Sequence, residues 1–189
     1  METARDIRLA ALALFAEKGF AAVSMREIAR KVGVQVGALY LYTPDKQSLL
    51  ADLMITHLED LLAAWAAEGP EAEDPLARFD TFVGFHIRYH LTRVDEVFIA
   101  YMELRSLTPE NFAKVERLRR LYENVLQDIL IAGVGAGRFR LSDPRVTTLA
   151  LIAMLTGVNT WYRAGGRLSP ERIEEVYREM ARGLVGCAP

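Results

Sequence analysis

SMREIARKVGVQVGALYLYTPDK, residues Ser24 to Lys46, joins two short helical patterns at a glycine-containing turn, and its reading decides the fold. Ser24 can accept a backbone N–H from the first turn while Glu27, three residues on, reaches back to the Ser24 N–H, the reciprocal box that starts a helix. Met25, Ile28, Ala29 and Val32 then follow at i, i+3, i+4 and i+7, leaving Arg26, Arg30 and Lys31 on other faces. Gly33 stands where a helix ends in the left-handed conformation, and Val34 is apolar enough to wedge between two helices. The run Gln35-Val36-Gly37-Ala38-Leu39-Tyr40 begins the second helix, with Leu39 turned to the core.

Two helices meeting at such a turn make a helix-turn-helix for duplex DNA. Gly37 and Ala38 let the backbone approach a groove closely. N–H groups at the helix start attract phosphate, and Tyr40, Tyr42 and Lys46 supply donors to the neighbouring DNA backbone. Arg26, Gln35 and Val36 are the candidates for base edges. With Ser24 at the cap, the expected DNA-facing set is Ser24, Arg26, Gln35, Val36, Gly37, Ala38, Tyr40, Tyr42 and Lys46.

The charge of the whole chain hides this patch. The 189 residues carry a formal net charge of −2 and are 51% hydrophobic, a composition that supports a sizeable core. Residues 1–48 hold seven cations (Arg5, Arg8, Lys18, Arg26, Arg30, Lys31, Lys46) against five acids (Glu2, Asp6, Glu17, Glu27, Asp45), so the head is basic and the remainder acidic. Local surface charge, not the overall balance, sets attraction for phosphate. With no secretory pattern and no long uncharged apolar run, the expected location is cytoplasmic, with no membrane partner. Cys187, the single cysteine, has no intrachain partner for a disulfide.

Outward from the quoted stretch, no strand pattern competes with helix. A first helix over about residues 3–18 buries Ile7, Ala11, Leu14 and Phe15 and ends at Gly19. Asp45 caps a fourth that runs to about Ala67. GPEAEDP (69–75) is a loop. Helical patterns then cover about 76–92, 94–107 and 109–131, with Thr108 as cap; GVGAG (133–137) is a loop; and two apolar helices begin after Asp143 and Ser169, ending near Arg163 and Leu184. The expected fold is all-α, a three-helix helix-turn-helix head (1–48) followed by a helical ligand-binding and dimerisation body (49–189). Ile173, Val176, Tyr177, Met180 and Leu184 form one stripe, and Ala153 and Gly157 a small-residue face. The last two helices can therefore pair with their copies in a homodimer, or serve only the intrachain core.

Other chemistries lack their constellations. His86 and His90 have the i, i+4 spacing of metal ligands, but Ile87 lies between them and no carboxylate cluster completes a site. The glycine-rich 133–137 has neither the preceding strand nor the Lys-Ser/Thr ending of a phosphate loop. Neither a nucleophile elbow nor a Cys–His pair is evident. The expectation is therefore a non-enzyme without metal or cofactor. What remains is an aromatic set for a small-molecule cavity: Phe82, His86, Tyr89, Phe98, Tyr101, Met102, Arg105, Tyr122, Trp161, Tyr162 and Arg163, with Phe85 alongside. Each of these residues has a plain core reading beside the pocket one.

The segments Leu14-Phe15-Ala16-Glu17-Lys18-Gly19-Phe20, Ser24 to Ala29, Gly33-Val34, Gly37 to Tyr40 and Lys46 resemble the TetR-type bacterial one-component repressors. The chain departs from the family pattern at Gln35, Val36 and Thr43, two of which stand where a recognition helix meets base edges. The resemblance implies a homodimer through the last two helices, a palindromic double-stranded DNA operator and release by a small apolar effector. The stretch Asn159 to Pro170, NTWYRAGGRLSP, is similar to the same junction in family members that answer to acyl-CoA thioesters, which makes a fatty acyl-CoA the candidate effector. Arg163 and Arg167 could pair with its phosphates while aromatics hold the acyl tail. The alternative is a helical module that binds small molecules or partners without specific DNA recognition.

Overall fold

The computed structural model describes residues 2–68 and 74–187, and every regular element among them is helical. In chain order these are α1 (Glu2–Lys18), α2 (Met25–Val32), α3 (Val36–Leu39), α4 (Lys46–Glu68), α5 (Pro75–Leu91), α6 (Val94–Met102), a 3-10 turn (Leu104–Ser106), α7 (Pro109–Gly135), α8 (Pro144–Thr156), α9 (Val158–Trp161) and α10 (Pro170–Leu184). Of the expected loop at 69–75, residues 69–73 lie outside the described residues; Asp74 and Pro75 open α5.

Helix starts follow local chemistry. Asp45 Oδ1 accepts the Ser48 N–H at 2.7 Å. Asp143 Oδ1 accepts those of Arg145 and Val146 at 2.8 and 3.0 Å, and Ser169 Oγ accepts that of Arg172 at 3.3 Å. Each acceptor satisfies donors that the first helical turn leaves without a partner. Proline follows both Asp143 and Ser169, where its missing N–H costs nothing.

Helix ends depart from expectation at three places. The helix expected over 94–107 stops at Met102 and tightens into the 3-10 turn. The one expected to reach Arg163 is divided at Gly157 into α8 and α9 and ends at Trp161. Gly133 and Gly135, expected in a loop, belong to α7. Gly133 is there for proximity: a Cβ would run into the ring of buried Phe139, and the Gly133 carbonyl accepts from the Arg138 and Phe139 N–H groups at 2.9 and 3.2 Å.

The chain forms two compact units. The first unit runs to Asp60 and includes Val94–Leu118; the second comprises Leu61–Arg93 and the chain from Arg119 onward. The head thus keeps the first part of α4 and gains α6, because α6 packs on α1. Ile7, Phe15, Ile28, Leu39, Leu50 and Ile99 make its buried centre.

In the second unit α5 is the hub, with α8, α9 and α10 packed on it. Phe82 is fully buried, 5.2 Å from Trp65 in an edge-on contact and 5.3 Å from Tyr122. On another face of α5, charges alternate across Gly84. Arg88 bonds Glu174 at 2.6 Å and also pairs with Glu68, while Arg178 pairs with Glu174 and donates Nε–H to the Asp80 carbonyl at 3.1 Å. Arg182 grips the Asp80 carboxylate, its Nε–H bond measuring 2.8 Å. A Cβ on residue 84 would lie 2.9 Å from Arg88 Nη1 and nearer still to Arg178 and Glu174, so the missing side chain is what lets this network cross α5.

Gly84→Ala therefore sets helix propensity against packing. Alanine gains about 1 kcal/mol in a helix interior, whereas the atoms in its way are the far ends of the flexible Arg88, Arg178 and Glu174 side chains, whose partly exposed ion pairs are worth about 0–1 kcal/mol. The expected outcome is a stability that holds or rises, read as an equal or higher urea midpoint at unchanged slope. A lower midpoint would mean that the network cannot shift.

Candidate nucleic-acid interface and effector cavity

The α2 start forms as a shared version of the expected box. Ser24 Oγ accepts the Glu27 N–H at 3.2 Å. The Glu27 carboxylate takes Lys18 Nζ at 2.6 Å, and this bond, with a smaller contribution from the Ser24 N–H, holds its pKa below the ordinary carboxylate range. Lys18 is raised correspondingly by Glu27. The end of α1 is thereby tied to the first turn of α2. Ile28 and Ala29 are buried while Arg26, Arg30 and Lys31 are exposed, as their spacing predicts.

Gly33 closes α2 at φ +81°, its N–H directed to the Ala29 and Arg30 carbonyls at 2.9 and 3.3 Å, with the Val34 N–H on Ala29 at 3.0 Å. Nothing lies within 4 Å of a Cβ built there, so backbone conformation, not room, requires glycine. The second helix is a single turn: α3 begins after Gln35, whose extended backbone precedes the turn and whose exposed side chain makes no capping bond. Leu39 is buried as expected. Val36 and Ala38 are half-buried, and Gly37 is exposed.

After α3 the chain continues in tight turns, with the Tyr42 and Thr43 N–H groups on the Leu39 carbonyl at 2.9 and 3.0 Å. Tyr40 and Tyr42 each expose about half their surface, and Leu41 between them is 82% exposed. Leu41 is absent from the expected DNA-facing set, since an apolar residue beside a helical stripe gives no sequence signal that it points outward.

Lys46 is placed differently from a free phosphate donor. Its Nζ donates to the Phe20 and Val23 carbonyls at 2.8 and 2.7 Å and sits 4.2 Å from the centre of the Phe20 ring. Two of its three N–H bonds are thus committed to the corner between α1 and α2. Gln47, Glu103 and Ser106, none of them in the expected set, bond to the same region of the first unit.

The expected aromatic set is divided between the two units. Phe98, Tyr101, Met102 and Arg105 belong to the first, where Phe98 and Met102 are exposed on α6 and Met102 is 64% so. In the second, His86 is fully buried, its Nδ1 3.1 Å from Tyr122 Oη and its Nε2 3.2 Å from Thr156 Oγ1. His90 stacks on it at 3.7 Å and donates Nδ1–H to the His86 carbonyl at 2.8 Å. The i, i+4 spacing is used to stack rings, and both His86 nitrogens already face hydroxyls. Phe82, His86, Tyr89 and Tyr122 are packed ring to ring as core.

Three of the expected residues do meet at an opening. Trp161, Tyr162 and Arg163 line a cavity of about 280 Å³ with Gly166, Arg167 and Leu168. The turn that shapes it has Gly165 at φ +76° and the Gly166 N–H on the Arg163 carbonyl at 3.0 Å. Arg163 Nη1 donates to the Tyr162 carbonyl at 2.6 Å. Arg163 and Arg167 are exposed and Trp161 half exposed, with its ring 6.5 Å from Tyr177 and near parallel to it. An apolar wall beside two guanidinium groups suits a ligand that is apolar at one end and anionic at the other.

Comparison with known proteins agrees with this anatomy. Residues 7–53 match the bacterial regulatory proteins of the tetR family, and residues 72–185 match the tetracyclin repressor-like C-terminal domain. A bacterial regulatory protein in the tetR family from Rhodococcus RHA1 superposes with a TM-score of 0.94 at 32% identity, covering 100% of both chains. The HTH-type transcriptional repressor KstR2 of Mycobacterium tuberculosis is 26% identical over 92% of this chain and 88% of its own length. AibR, solved with isovaleryl coenzyme A and operator DNA, shares the fold at a TM-score of 0.87 and 24% identity, over 98% of this chain and 100% of its own. With its helix-turn-helix and most of its body matched, the chain belongs to the TetR family of bacterial transcriptional regulators.

Proposed function

We propose that the chain is a homodimeric repressor that reads a palindromic operator through α2 and α3 and is released by an acyl-CoA. The observation that carries the DNA reading is the outward course of Gln35 to Tyr42 behind an α2 locked at both ends, with Arg26, Arg30 and Lys31 exposed. Gln35 can meet a base edge with its amide, Leu41 can meet a thymine methyl, and Tyr40 and Tyr42 can donate to phosphate. Such a regulator works by binding, not catalysis, and acts in the cytoplasm; no helix among the described residues is long and apolar enough to cross a membrane.

Dimerisation is supported by two outward apolar stripes in the second unit. On α8, Val146, Leu149, Ala150 and Ala153 are exposed at i, i+3, i+4 and i+7. On α10, Met180 and Leu184 are exposed while Ile173, Tyr177 and Ala181 face inward. Exposed stripes of this kind on two helices packed on α5 are the material of a four-helix interface across a twofold axis. The pairing must then hold two heads about 34–36 Å apart to enter successive major grooves. The cavity at Trp161 to Leu168 offers an acyl-CoA cations for phosphate and an aromatic wall for the rest.

Three outcomes follow. Lys46→Ala frees the Phe20 and Val23 carbonyls and so weakens the operator more than a scrambled duplex, read by titration of both; a drop of about one unit in the salt slope on both duplexes marks its remaining N–H as a phosphate contact as well, and an equal loss on the two duplexes overturns the bracing role. Gln35→Ala instead changes sequence preference, with about 1–3 kcal/mol lost at one base position. Selection against a library of duplexes separates that from a uniform loss. Leu149→Glu with Met180→Glu gives a monomer by sedimentation and abolishes cooperative occupancy of the two half-sites. A dimer persisting in the double variant places the interface elsewhere.

For the effector, operator complexes are titrated with long-chain acyl-CoA, free fatty acid and free CoA. The thioester releases DNA and the other two, each missing half the contacts, act far less. Arg167→Ala weakens the thioester response more than the acid response. Equal release by acid and thioester would make the effector a plain apolar acid.

A further inference from the structure

We propose that a cavity between α1 and α4 is a ligand site for a small organic amine in its ammonium form, distinct from the effector cavity at Trp161 to Leu168. It opens between the first two turns of α1 and the first two turns of α4, and the turn Tyr42 to Pro44 closes its third side. All of these residues belong to the first unit. Its volume of about 380 Å³ exceeds that of the other cavity and falls within the range of roughly 300–1,000 Å³ for small-molecule sites.

Small and apolar side chains keep this space open. Thr43 is 7% exposed and turns its hydroxyl onto the Asp45 carbonyl at 3.0 Å, so it offers the cavity little bulk and no free donor. It is also one of the three residues at which the chain departs from the family pattern. Ile7 and Leu49, both buried, make an apolar floor, and Pro44 has no N–H to offer. Such a floor holds a hydrocarbon body through the area removed from water and sets no preference for charge.

The rim sets the charge. Arg8 is engaged twice: one terminal nitrogen pairs with Asp52 Oδ2 and the other donates to Thr56 Oγ1 at 2.7 Å. Asp52 is half exposed, and Arg8 takes only one of its carboxylate oxygens, which leaves Oδ1 for another donor. Ser48 and Tyr42 line the same cavity, each with a hydroxyl oxygen that accepts, and Tyr42 adds its ring. A carboxylate or phosphate entering here would have to displace Asp52 from Arg8, whereas an ammonium adds to the pair without breaking it. With three donors and no acceptor, an ammonium matches a carboxylate oxygen and two hydroxyl oxygens, and its charge is favoured by an aromatic face.

Occupancy bears on DNA through Tyr42, whose hydroxyl is a phosphate donor in the repressor reading. An ammonium that donates to the Tyr42 oxygen leaves the phenolic hydrogen for a phosphate and brings one more positive charge to the head. The amine therefore tightens operator binding, opposite in sign to the acyl-CoA, and by linkage the operator tightens amine binding by the same factor. This consequence rests on the repressor reading; the site itself does not.

The test titrates the full chain with 2-phenylethylamine, and with phenylacetate and 2-phenylethanol, which carry a similar body with a negative charge and with none. Nuclear magnetic resonance follows the Thr43, Ser48 and Leu49 amides, and calorimetry gives the affinity. The amine should shift these amides saturably and bind at least about 10-fold tighter than either control. Thr43→Phe fills the cavity and abolishes binding. Asp52→Asn lowers amine affinity about 10-fold while leaving that of 2-phenylethanol unchanged, and at its half-exposed position it decides the matter if Thr43→Phe does not fold. Saturating amine raises operator affinity about 5-fold and steepens the salt slope by about one unit.

Absence of saturable binding at about 10 mM, where a site of millimolar affinity is mostly filled, overturns the proposal. So does phenylacetate binding as tightly as the amine, amine binding that survives in folded Thr43→Phe, or unchanged amine affinity in Asp52→Asn. An amine that binds but leaves operator affinity unchanged, or lowers it, overturns the coupling and keeps the site. If the chain binds no duplex, the repressor reading fails, and titration of the free protein still decides the site.

Discussion

Everything that the head presents to DNA depends on how one ammonium group is satisfied. Lys46 Nζ collects the Phe20 and Val23 carbonyls, which are left without helical partners where α1 has ended and α2 has not begun. A cation is suited to this task because it carries three donors and no acceptor, and the nearby Phe20 ring favours its charge. With the corner closed, Ser24 can cap α2 and Lys18 can reach Glu27 across the gap. Gly33 and the single turn of α3 then have a fixed origin. A helix of four residues has little stability of its own, so the placement of Gln35 to Tyr42 is inherited from this corner and from buried Leu39.

The parts of the structure legible in the sequence are those whose causes lie within about four residues. Caps at Ser24, Asp45, Asp143 and Ser169 and the terminator Gly33 are local chemistry, and each forms at its expected residue. The alternation that buries Ile28 and Ala29 while exposing Arg26 and Arg30 is equally local. Illegible were the features whose cause is distant in the chain. Lys46 reads as a phosphate donor because its partners lie 26 and 23 residues away, and Glu103 carries no local signal because Phe20 is 83 residues away. Gly133 reads as a loop former because Phe139, which occupies the space of its missing side chain, leaves no mark on helical periodicity.

The aromatic set is spread over both compact units for a related reason. Aromatic residues at helical spacing report that a face is apolar, not what it faces. His86, Phe82 and Tyr122 use their faces against one another, and Phe98 and Met102 turn theirs outward. Trp161 to Arg163 run on from the end of α9 and line a cavity with the glycine turn at 165–166, where side chains can converge without packing into a helix interface. Gly84 makes the complementary point on α5. There the absence of a side chain admits an ion network from α10, so close approach is achieved by charge as well as by apolar contact.

Three crossings of the chain join its two compact units. α4 and α7 each cross the boundary, at Asp60/Leu61 and at Leu118/Arg119, and α6 begins immediately after a third crossing at Arg93/Val94. A ligand can move such a system only by its difference in affinity between two settings, so the contact that distinguishes the settings must be one that breaks at small displacement. Buried apolar contacts such as those of Phe15, Ile28 and Ile99 are poor at this, because their energy falls gradually with area. Hydrogen bonds on the Phe20 backbone and the Gln47 amide fall off steeply with distance and angle.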